Sequence, residues 1–374
     1  MKMKSLLILS DKIVMTMIMM VIITPWLSAQ IHQEEGCVVQ REFIYETAPY
    51  PSCHASTIEQ TTSGTMVAAW FGGSDEGKPD VGIWVSRFVD GKWLPSVEVA
   101  NGVQDGQTRF PCWNPVLFQP KAGPLILFFK VGPAPDRWWG EMMISDDNGA
   151  TWKNRTKLPD GGIGPVKNKP VQLENGEILC PSSDEAGNQW LLHLESTADL
   201  GQTWKRKPPL HEKTDGEAIQ PSLLFHPNGK LQMICRNRDG QGKLLQIWSE
   251  DMGKTWGKIS ETSLPNPCSG TDAVTLADGR HLLVYNHTNR HSSDSQPTGR
   301  SMLNLAVSDD GVNWNAVAVL ELCPKSEFSY PAIIQTNDGL VHITYTWNRV
   351  KIMHVVVDPA KIQVKSIIGG HWPQ

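Results

Sequence analysis

The feature that most constrains the fold is a short hairpin motif that recurs six times along this 374-residue chain. The copy at 329–345 shows the pattern most clearly, with an apolar strand, the turn Asp338-Gly339 and a second apolar strand. An Asp-Gly pair between apolar runs is a strong hairpin signal. A period of about 50 to 60 residues indicates a propeller or a solenoid. The turn glycines are Gly64, Gly123, Gly176, Gly229, Gly279 and Gly339.

The strand before each turn begins with a polar side chain that is followed by Pro or Ala. In a propeller the first strand of each blade lines the central channel, and its end opens on one face. Polar side chains at six equivalent positions therefore predict a ring around the channel mouth, with a substrate site inside it. The alternative is that they only cap strand starts, where Pro is tolerated. The six residues are His54, Asn114, Lys169, Gln220, Asp272 and Tyr330.

The segment 1–29 has the composition of a secretory signal. Lysines mark its start, 13–27 is an apolar run, and the small residues Ser28-Ala29 precede a cleavage point near Gln30. The run is shorter than the roughly 20 residues that a membrane helix needs, although an uncleaved anchor is the alternative. The sequence therefore predicts a secreted or periplasmic protein whose segment 30–374 forms one large all-β domain.

Charge and cysteine usage exclude several classes of partner and cofactor. The formal net charge is -5 and no basic run occurs, which argues against nucleic acid and anionic membrane surfaces. The seven cysteines include no CxxC pair, so neither a zinc site nor another cofactor is expected. Cys180 and Cys235 stand in apolar strands and are predicted to pack as small hydrophobic side chains. Cys53 and Cys112 could face each other across the ring.

A second repeat is interleaved with the hairpins. Its pattern is S-x-D-x-G-x-T-W, with clean copies at 145–152 and 249–256. Asp and Ser side chains bond the backbone of a turn, Gly adopts positive φ, and Trp packs against the blade. These residues are predicted to be structural and are given no chemistry. Weaker copies occur at 86–93, 197–204 and 308–314.

These turns are similar to the Asp boxes, or BNR repeats, of the sialidase (neuraminidase) superfamily, and the chain resembles its bacterial neuraminidase-like members. The resemblance covers five of the six repeats. It implies an all-β, six-bladed β-propeller and a glycoside hydrolase that acts on the terminal acidic sugar of a glycan. It also implies a Tyr nucleophile assisted by a Glu, a separate Asp as acid, and three Arg that hold the substrate carboxylate.

The resemblance assigns the nucleophile to Tyr330, which starts the last repeat. A neutral nucleophile suits an anionic sugar, since two like charges about 4 Å apart at an effective dielectric constant of about 20 would repel by about 4 kcal/mol. Sialidases are the known Tyr exceptions among glycosidases. Because an unperturbed Tyr has a pKa of about 10, Tyr330 needs a base, for which Glu217 is the candidate. The alternative is a Tyr that only plugs the channel.

The acid is expected in the loop 72–80, which resembles the place where sialidases hold their acid Asp. Glu76 and Asp80 are the candidates, with Asp75 behind them. General acid catalysis is typically worth about 10²- to 10⁴-fold. A solvated acidic loop without chemistry is the alternative.

The anion clamp departs from the family pattern, because no Arg stands at Cys53-His54-Ala55 where the first of three is expected. Arginine binds a carboxylate through two parallel hydrogen bonds, whereas lysine offers a point charge. Pairing of these cations with Asp184 and Asp272 is the alternative. The candidate cations are Arg236, Arg238 and Arg349, with Arg300 as a further arginine and Lys130, Lys167 and Lys169 as lysines.

His54 points to a competing mechanism. A His and a Tyr across a channel could move the protons of a β-elimination from a uronic acid, while cations neutralise its carboxylate. A non-catalytic glycan-binding propeller is the third hypothesis. Aromatic faces suit sugar rings in all three cases. The candidate tryptophans are Trp113, Trp138, Trp139 and Trp347.

Overall fold

The computed structural model describes residues 36–239, 242–290 and 297–373. These residues form six antiparallel sheets, and the predicted all-β, six-bladed propeller is confirmed. The first strand of blade one packs beside the first strands of blades two and six, so the sheets close into a ring. The expected secretory signal, 1–29, lies outside the described residues. Within the described ranges, no helix has both the length and the apolar character needed to span a membrane.

The chain enters the fold through an N-terminal strand and then builds the blades in order. Short 3-10 helices occur at Ala186–Asn188, Lys213–Asp215, Pro227–Gly229 and Pro359–Lys361. The strands are β1 (Val38–Phe43); in blade one β2 (Ser52–Gln60), β3 (Met66–Gly73), β4 (Gly82–Val89), β5 (Lys92–Trp93) and β6 (Val97–Ala100); in blade two β7 (Cys112–Phe118), β8 (Leu125–Val131), β9 (Trp139–Ser145) and β10 (Lys153–Lys157); in blade three β11 (Val171–Gln172), β12 (Ile178–Asp184), β13 (Leu191–Thr197) and β14 (Lys205–Arg206); in blade four β15 (Ala218–Phe225), β16 (Leu231–Asn237), β17 (Lys243–Ser249) and β18 (Ser260–Pro265); in blade five β19 (Asp272–Thr275), β20 (His281–Tyr285), β21 (Met302–Ser308) and β22 (Asn315–Leu322); and in blade six β23 (Phe328–Gln335), β24 (Val341–Trp347) and β25 (Lys351–Val357), followed by β26 (Lys365–Ser366).

The ring is closed by the N-terminal strand. β1 pairs with β25 and supplies the outer strand of blade six, whereas the C-terminal β26 adds a fifth strand to blade five. Buried hydrogen bonds join the strands at this junction. Tyr345 Oη donates to Glu321 Oε1 at 2.6 Å and accepts from Arg41 Nη1 at 3.1 Å, so blade five, blade six and β1 meet at one hydroxyl.

Four of the first strands share a β-bulge next to the channel. The register slips in β2, β7, β15 and β23, and each slip contains one non-glycine residue with positive φ. Such backbone is uncommon for side-chain-bearing residues, and bulges re-aim side chains at functional sites. The four residues are Ala55, Asn114, Gln220 and Tyr330, with φ of 56°, 36°, 56° and 51°.

This register corrects the sequence alignment at blade one. Ala55 occupies the bulge position that the alignment gave to His54, so His54 lies one residue earlier. Lys169 precedes β11, and Asp272 starts β19 without a bulge. The predicted ring is therefore built from four equivalent positions and two that differ.

The four Asp-box turns between third and fourth strands have the predicted structural chemistry. In blade two, Ser145 Oγ accepts from Gly149 N at 2.8 Å, and Asp147 accepts from Thr151 N at 2.8 Å. Hydrogen bonds from Thr151 and Ser145 lower the pKa of Asp147 to about 2. Equivalent bonds occur in blades three, four and five. At 86–93, Ser86 Oγ instead donates to the Leu94 carbonyl, so only the outline of the box remains.

The cysteines are buried among apolar side chains. Cys180 and Cys235 lie inside interblade clusters, as the sequence predicts. Cys53 and Cys112 belong to different clusters, which does not favour the facing pair considered from the sequence. Tyr45 Oη donates to Cys53 Sγ at 3.0 Å.

The junction at Tyr345 yields a stability prediction. Tyr345→Phe keeps the ring but removes a hydrogen bond to the buried Glu321 carboxylate, and we expect the free energy of unfolding to fall by about 1–3 kcal/mol. Urea unfolding measures it. Val312→Ala, at a side chain that is 51% exposed, is the control and should change stability by less than about 0.5 kcal/mol. Equal stability of both variants would contradict the proposed role of this hydrogen bond.

Candidate functional site

One pocket of about 260 Å³ opens on the face where the first strands begin. Its walls come from those strand starts and from the connections between second and third strands. The Asp boxes connect third to fourth strands, so they lie at the opposite face. Within the described residues, no group of three or more metal-ligating side chains lies together. The pocket is lined by His54, Glu76, Trp113, Asn114, Pro135, Trp138, Glu185, Trp190, Gln220, Arg236, Arg300, Tyr330 and Arg349.

Tyr330 lies at the base of the pocket and is only 8% exposed. Its Oη accepts from Arg236 Nη1 at 2.8 Å and from Gln220 Nε2 at 3.2 Å. The amide orientation of Gln220 follows from this network, because its Oε1 faces Arg236 at 3.4 Å. Among the described residues, no carboxylate is hydrogen-bonded to Tyr330. An amide thus occupies the place beside the phenol where a base was expected.

His54 packs against Tyr330 with its ring centroid 4.1 Å from the phenol ring. Its Nδ1 pairs with Thr346 Oγ1 at 3.1 Å, and the same oxygen accepts from Ala55 N. Burial lowers the pKa of His54 well below its ordinary value, and the nearby arginines act in the same direction. The site therefore holds a neutral imidazole against the tyrosine at neutral pH.

Three arginines converge on the pocket from blades four, five and six. Arg300 and Arg349 both donate to Glu327 Oε1, at 2.8 and 2.9 Å, and Arg236 reaches Tyr330. Burial alone would raise the pKa of Glu327, but the two guanidinium groups hold it below the ordinary value. Arg300, the weakest of the sequence candidates, is thus a full member of the cluster.

Arg238 and Glu217 lie beside the pocket and pair with each other. Arg238 Nη1 donates to Glu217 Oε1 at 2.6 Å, and neither residue contacts Tyr330. Arg236 and Arg238 approach the Trp190 ring at 5.0 and 5.5 Å from its centroid. Glu217, predicted as the base, is therefore the ion-pair partner of Arg238 and is not in contact with the phenol.

The two acid candidates differ in position. Glu76 lines the pocket and forms an ion pair with Arg349. Asp80 lies outside the lining and accepts from Ser74 N at 2.9 Å and Ser74 Oγ at 2.8 Å. Slight burial would raise the pKa of Asp80, but these hydrogen bonds lower it. Asp80 is thus engaged in holding its own loop.

Sequence reasoning missed a third carboxyl group, Glu185. It lines the pocket directly after β12, and burial raises its pKa against the opposing effect of Arg236 and Arg238. A signal was present in the repeats. Arg236 is the next-to-last residue of β16, the equivalent strand of blade four. The ends of the second strands are therefore places where charged site residues could be sought.

The candidate lysines and Asp272 lie outside the pocket lining. Lys169 Nζ pairs with Asp272 at 2.9 Å, and Lys167 donates to the carbonyls of Thr271 and Pro331. Lys130 Nζ donates to the Pro165 carbonyl at 2.6 Å, and burial lowers its pKa to about 7. Lys169 thus pairs with a carboxylate, as the alternative proposed, whereas Lys130 and Lys167 bind backbone carbonyls.

Two of the four candidate tryptophans reach the pocket. Trp113 and Trp138 line it with ring centroids 6.0 Å apart, and Trp190 joins them from blade three. Trp347 packs on Phe43 and Trp139 on Phe110, away from the lining. The pocket therefore has an aromatic wall on the side of blades two and three.

Comparison with known proteins places the chain among sialidase-like propellers. The family model of the BNR repeat-like domain matches residues 64–343. The sialidase of Paraclostridium sordellii is 27% identical over 170 residues, covering 39% of this chain and 40% of the relative. The sialidase of Micromonospora viridifaciens is 27% identical over 177 residues, covering 45% and 27%. The matched part is less than half the length of these curated relatives.

Solved structures with the same fold include sialidases. The Hadza microbial sialidase Hz136 has a TM-score of 0.70 at 16% identity, covering 87% of this chain and 69% of the other. The intramolecular trans-sialidase from Ruminococcus gnavus has a TM-score of 0.66 at 13% identity, covering 88% and 99%. A protein of unknown function from Dyadobacter fermentans has a TM-score of 0.68 at 18% identity, covering 86% and 98%. At these identities the likeness concerns the fold.

The environment of His54 predicts its titration. Its imidazole should remain neutral on acidification through about pH 6.5, the ordinary histidine pKa, because burial and three guanidinium groups oppose a further charge. The unfolded state then binds more protons, so this contribution to stability is lost as pH falls below about 6.5. Histidine NMR of the wild type and His54→Gln assigns the signal. A midpoint at or above about 6.5 would contradict the predicted environment.

Proposed function

The chain belongs to the BNR repeat-like domain family and is a sialidase-like propeller, and from this premise we propose that it is an exo-acting glycosidase. The proposed reaction hydrolyses a terminal anionic sugar from a glycan. The predicted export of the protein would bring it to glycans outside the cytoplasm. The observation that carries the proposal is the convergence of Arg236, Arg300 and Arg349 on one pocket around Tyr330.

Recognition of an anion follows from the charges of this cluster. Arginine guanidinium groups present planar forks that match a carboxylate, and they stay charged at all working pH values. Glu327 pairs with two of them from behind, which fixes their direction without filling the pocket. Glu327 and Glu76 offset part of the positive charge of the three arginines, and a bound carboxylate would offset the rest.

The size of the pocket supports exo action. Its volume of about 260 Å³ lies below the roughly 300–1,000 Å³ of most small-molecule sites. A pocket of this kind admits the end of a chain better than its middle. The tryptophan wall offers apolar faces to the rest of the sugar or to the group that leaves.

Tyr330 would act as the nucleophile and His54 would take its proton. Gln220 cannot fill that role, since an amide has no basic site at neutral pH. The neutral imidazole of His54 lies against the phenol ring and its Nδ1 pairs with Thr346. With Nδ1–H donating to Thr346, Nε2 would be the atom that takes the proton in the proposed step. Arg236 Nη1, at 2.8 Å from Oη, would stabilise negative charge on the phenol oxygen.

A second candidate function is β-elimination from a uronic acid. The observation that favours it is the same neutral His54 beside Tyr330, without a carboxylate on the phenol. His54 would remove the proton next to the sugar carboxylate, and Tyr330 would protonate the leaving oxygen. The arginines would neutralise the carboxylate and acidify the adjacent C–H.

Product analysis separates the two functions. The purified domain is incubated with sialosides and uronate-containing polysaccharides, and products are read by mass spectrometry. Tyr330→Phe should lower turnover by about 10³-fold or more, because the reacting oxygen is removed, while the far-ultraviolet spectrum stays unchanged. A product that carries one added water supports hydrolysis. An ultraviolet-absorbing product without that water supports elimination, and an oligosaccharide bound but recovered uncleaved supports a binding module.

A rescue experiment tests the proton acceptor. His54→Gln should lower turnover by about 10²-fold or more, as loss of a general base does. Adding Gln220→Glu places a carboxylate where the amide nitrogen now lies 3.2 Å from Tyr330 Oη, and the double variant should regain about 10-fold. Gln220→Glu alone is the matched control for folding. Full activity of His54→Gln would remove His54 from the mechanism.

A further inference from the structure

The pocket has two chemically different halves. Blades four to six supply its three arginines and Tyr330, whereas blades one to three supply its two carboxyl groups, its three tryptophans and His54. If the arginine half binds the anionic group of the sugar, the space left for the leaving group is on the side of blades one to three. A proton donor for the leaving group should then come from blades one to three. The groups on that side include Glu76, Trp113, Trp138, Glu185 and Trp190.

Two carboxyl groups near that half are already engaged. Glu76 is the counter-ion of Arg349, with their side chains 36% and 28% exposed. Asp80 accepts two hydrogen bonds from Ser74 and does not line the pocket. Glu76 is therefore committed to its ion pair with Arg349, and the hydrogen bonds from Ser74 lower the pKa of Asp80.

Glu185 is placed differently. It precedes the 3-10 helix Ala186–Asn188 but makes no side-chain capping bond to it. Within the described residues its carboxyl group forms no hydrogen bond or ion pair. Burial raises its pKa, and the neighbouring Arg236 and Arg238 only partly offset that effect. An unengaged carboxyl in a pocket wall, with a pKa that burial raises, has the properties of a general acid.

The loop that carries Glu185 is anchored to blade four. The Asn188 carbonyl accepts from Arg238 Nη1 at 3.0 Å and from Lys213 Nζ at 3.2 Å. The backbone N–H of Trp190 donates to Glu217 Oε1 at 3.3 Å. These contacts fix the backbone that follows the acid, and the pairing of Asp184 with Leu191 holds the residue before it, while its carboxyl group stays open to the pocket. Precise placement of this kind is what proton transfer requires.

We propose that Glu185 is the residue that protonates the leaving group. This inference rests on the proposed hydrolysis. In the first step Glu185 gives its proton to the glycosidic oxygen as the C–O bond breaks, Tyr330 Oη bonds to the anomeric carbon, and the Tyr330 proton passes to His54. In the second step water attacks that carbon and gives a proton to Glu185. His54 returns its proton to the released Tyr330 oxygen, which restores all three groups.

Leaving-group dependence tests the proposal. The probes are 4-methylumbelliferyl glycosides of N-acetylneuraminic and glucuronic acid, which need little protonation, and oligosaccharides that end in the same sugars. Glu185→Gln should lower kcat/KM on the oligosaccharides by about 10²- to 10⁴-fold. On the aryl glycosides the loss should be under about 10-fold, because that leaving group departs as an anion. The alkaline limb of the pH profile should disappear with the carboxyl group.

Two further variants test whether the loss of activity in Glu185→Gln comes from a change in structure. Glu185→Asp keeps a carboxyl group and should retain part of the alkaline limb, whereas the exposed Glu174→Gln should behave as wild type. Equal losses on aryl and natural substrates in Glu185→Gln would overturn the acid role while hydrolysis stands. A wild type that gives no product, or an unsaturated one, would overturn both proposals.

Discussion

Pairing of β1 with β25 closes the ring, and the candidate site lies across the junction that this pairing supports. Blade six carries Tyr330, Thr346 and Arg349, and blade one carries His54. The bond between His54 Nδ1 and Thr346 Oγ1 crosses from one blade to the other. Since β1 is the outer strand of blade six, its loss would expose the edge of the sheet that holds the reactive groups. Closure and site geometry therefore depend on the same few strands.

The site also depends on how its positive charges are balanced. Two unit charges about 4 Å apart at an effective dielectric constant of about 20 repel by about 4 kcal/mol, so converging arginines need counter-ions. Glu327 supplies one behind Arg300 and Arg349, and Glu76 supplies another in front of Arg349. Arg236 instead donates to the hydroxyl oxygen of Tyr330. The pocket thus retains positive charge that could bind an anion on the side of blades four to six.

The repeats allowed much of this architecture to be predicted. Turn glycines and Asp boxes are local signals with a fixed period, so six blades and the position of Tyr330 at a channel-facing strand could be predicted from sequence. His54 was aligned one residue away because a bulge adds a residue without any sequence mark of its own. Glu217 was chosen as the candidate base because it is the carboxylate just before the start of blade four. The residue that in fact lies beside the phenol, Gln220, is an amide. Glu185 was missed because no shared motif marks the ends of the second strands, although Arg236 near the end of β16 is a charged residue in a comparable place.

The amide of Gln220 lies beside the phenol, where a base was expected from the sequence, and this determines how the site can work. A carboxylate there would be a base and would also pair with Arg236, leaving fewer positive charges for the ligand. The amide instead accepts a hydrogen bond from Arg236 and donates one to Tyr330, so it links the two groups without adding charge. Under the proposed mechanism the proton would leave through another group, and the neutral His54 is in contact with the phenol ring. This route depends on His54 itself, because a guanidinium at that position would leave no imidazole against the phenol.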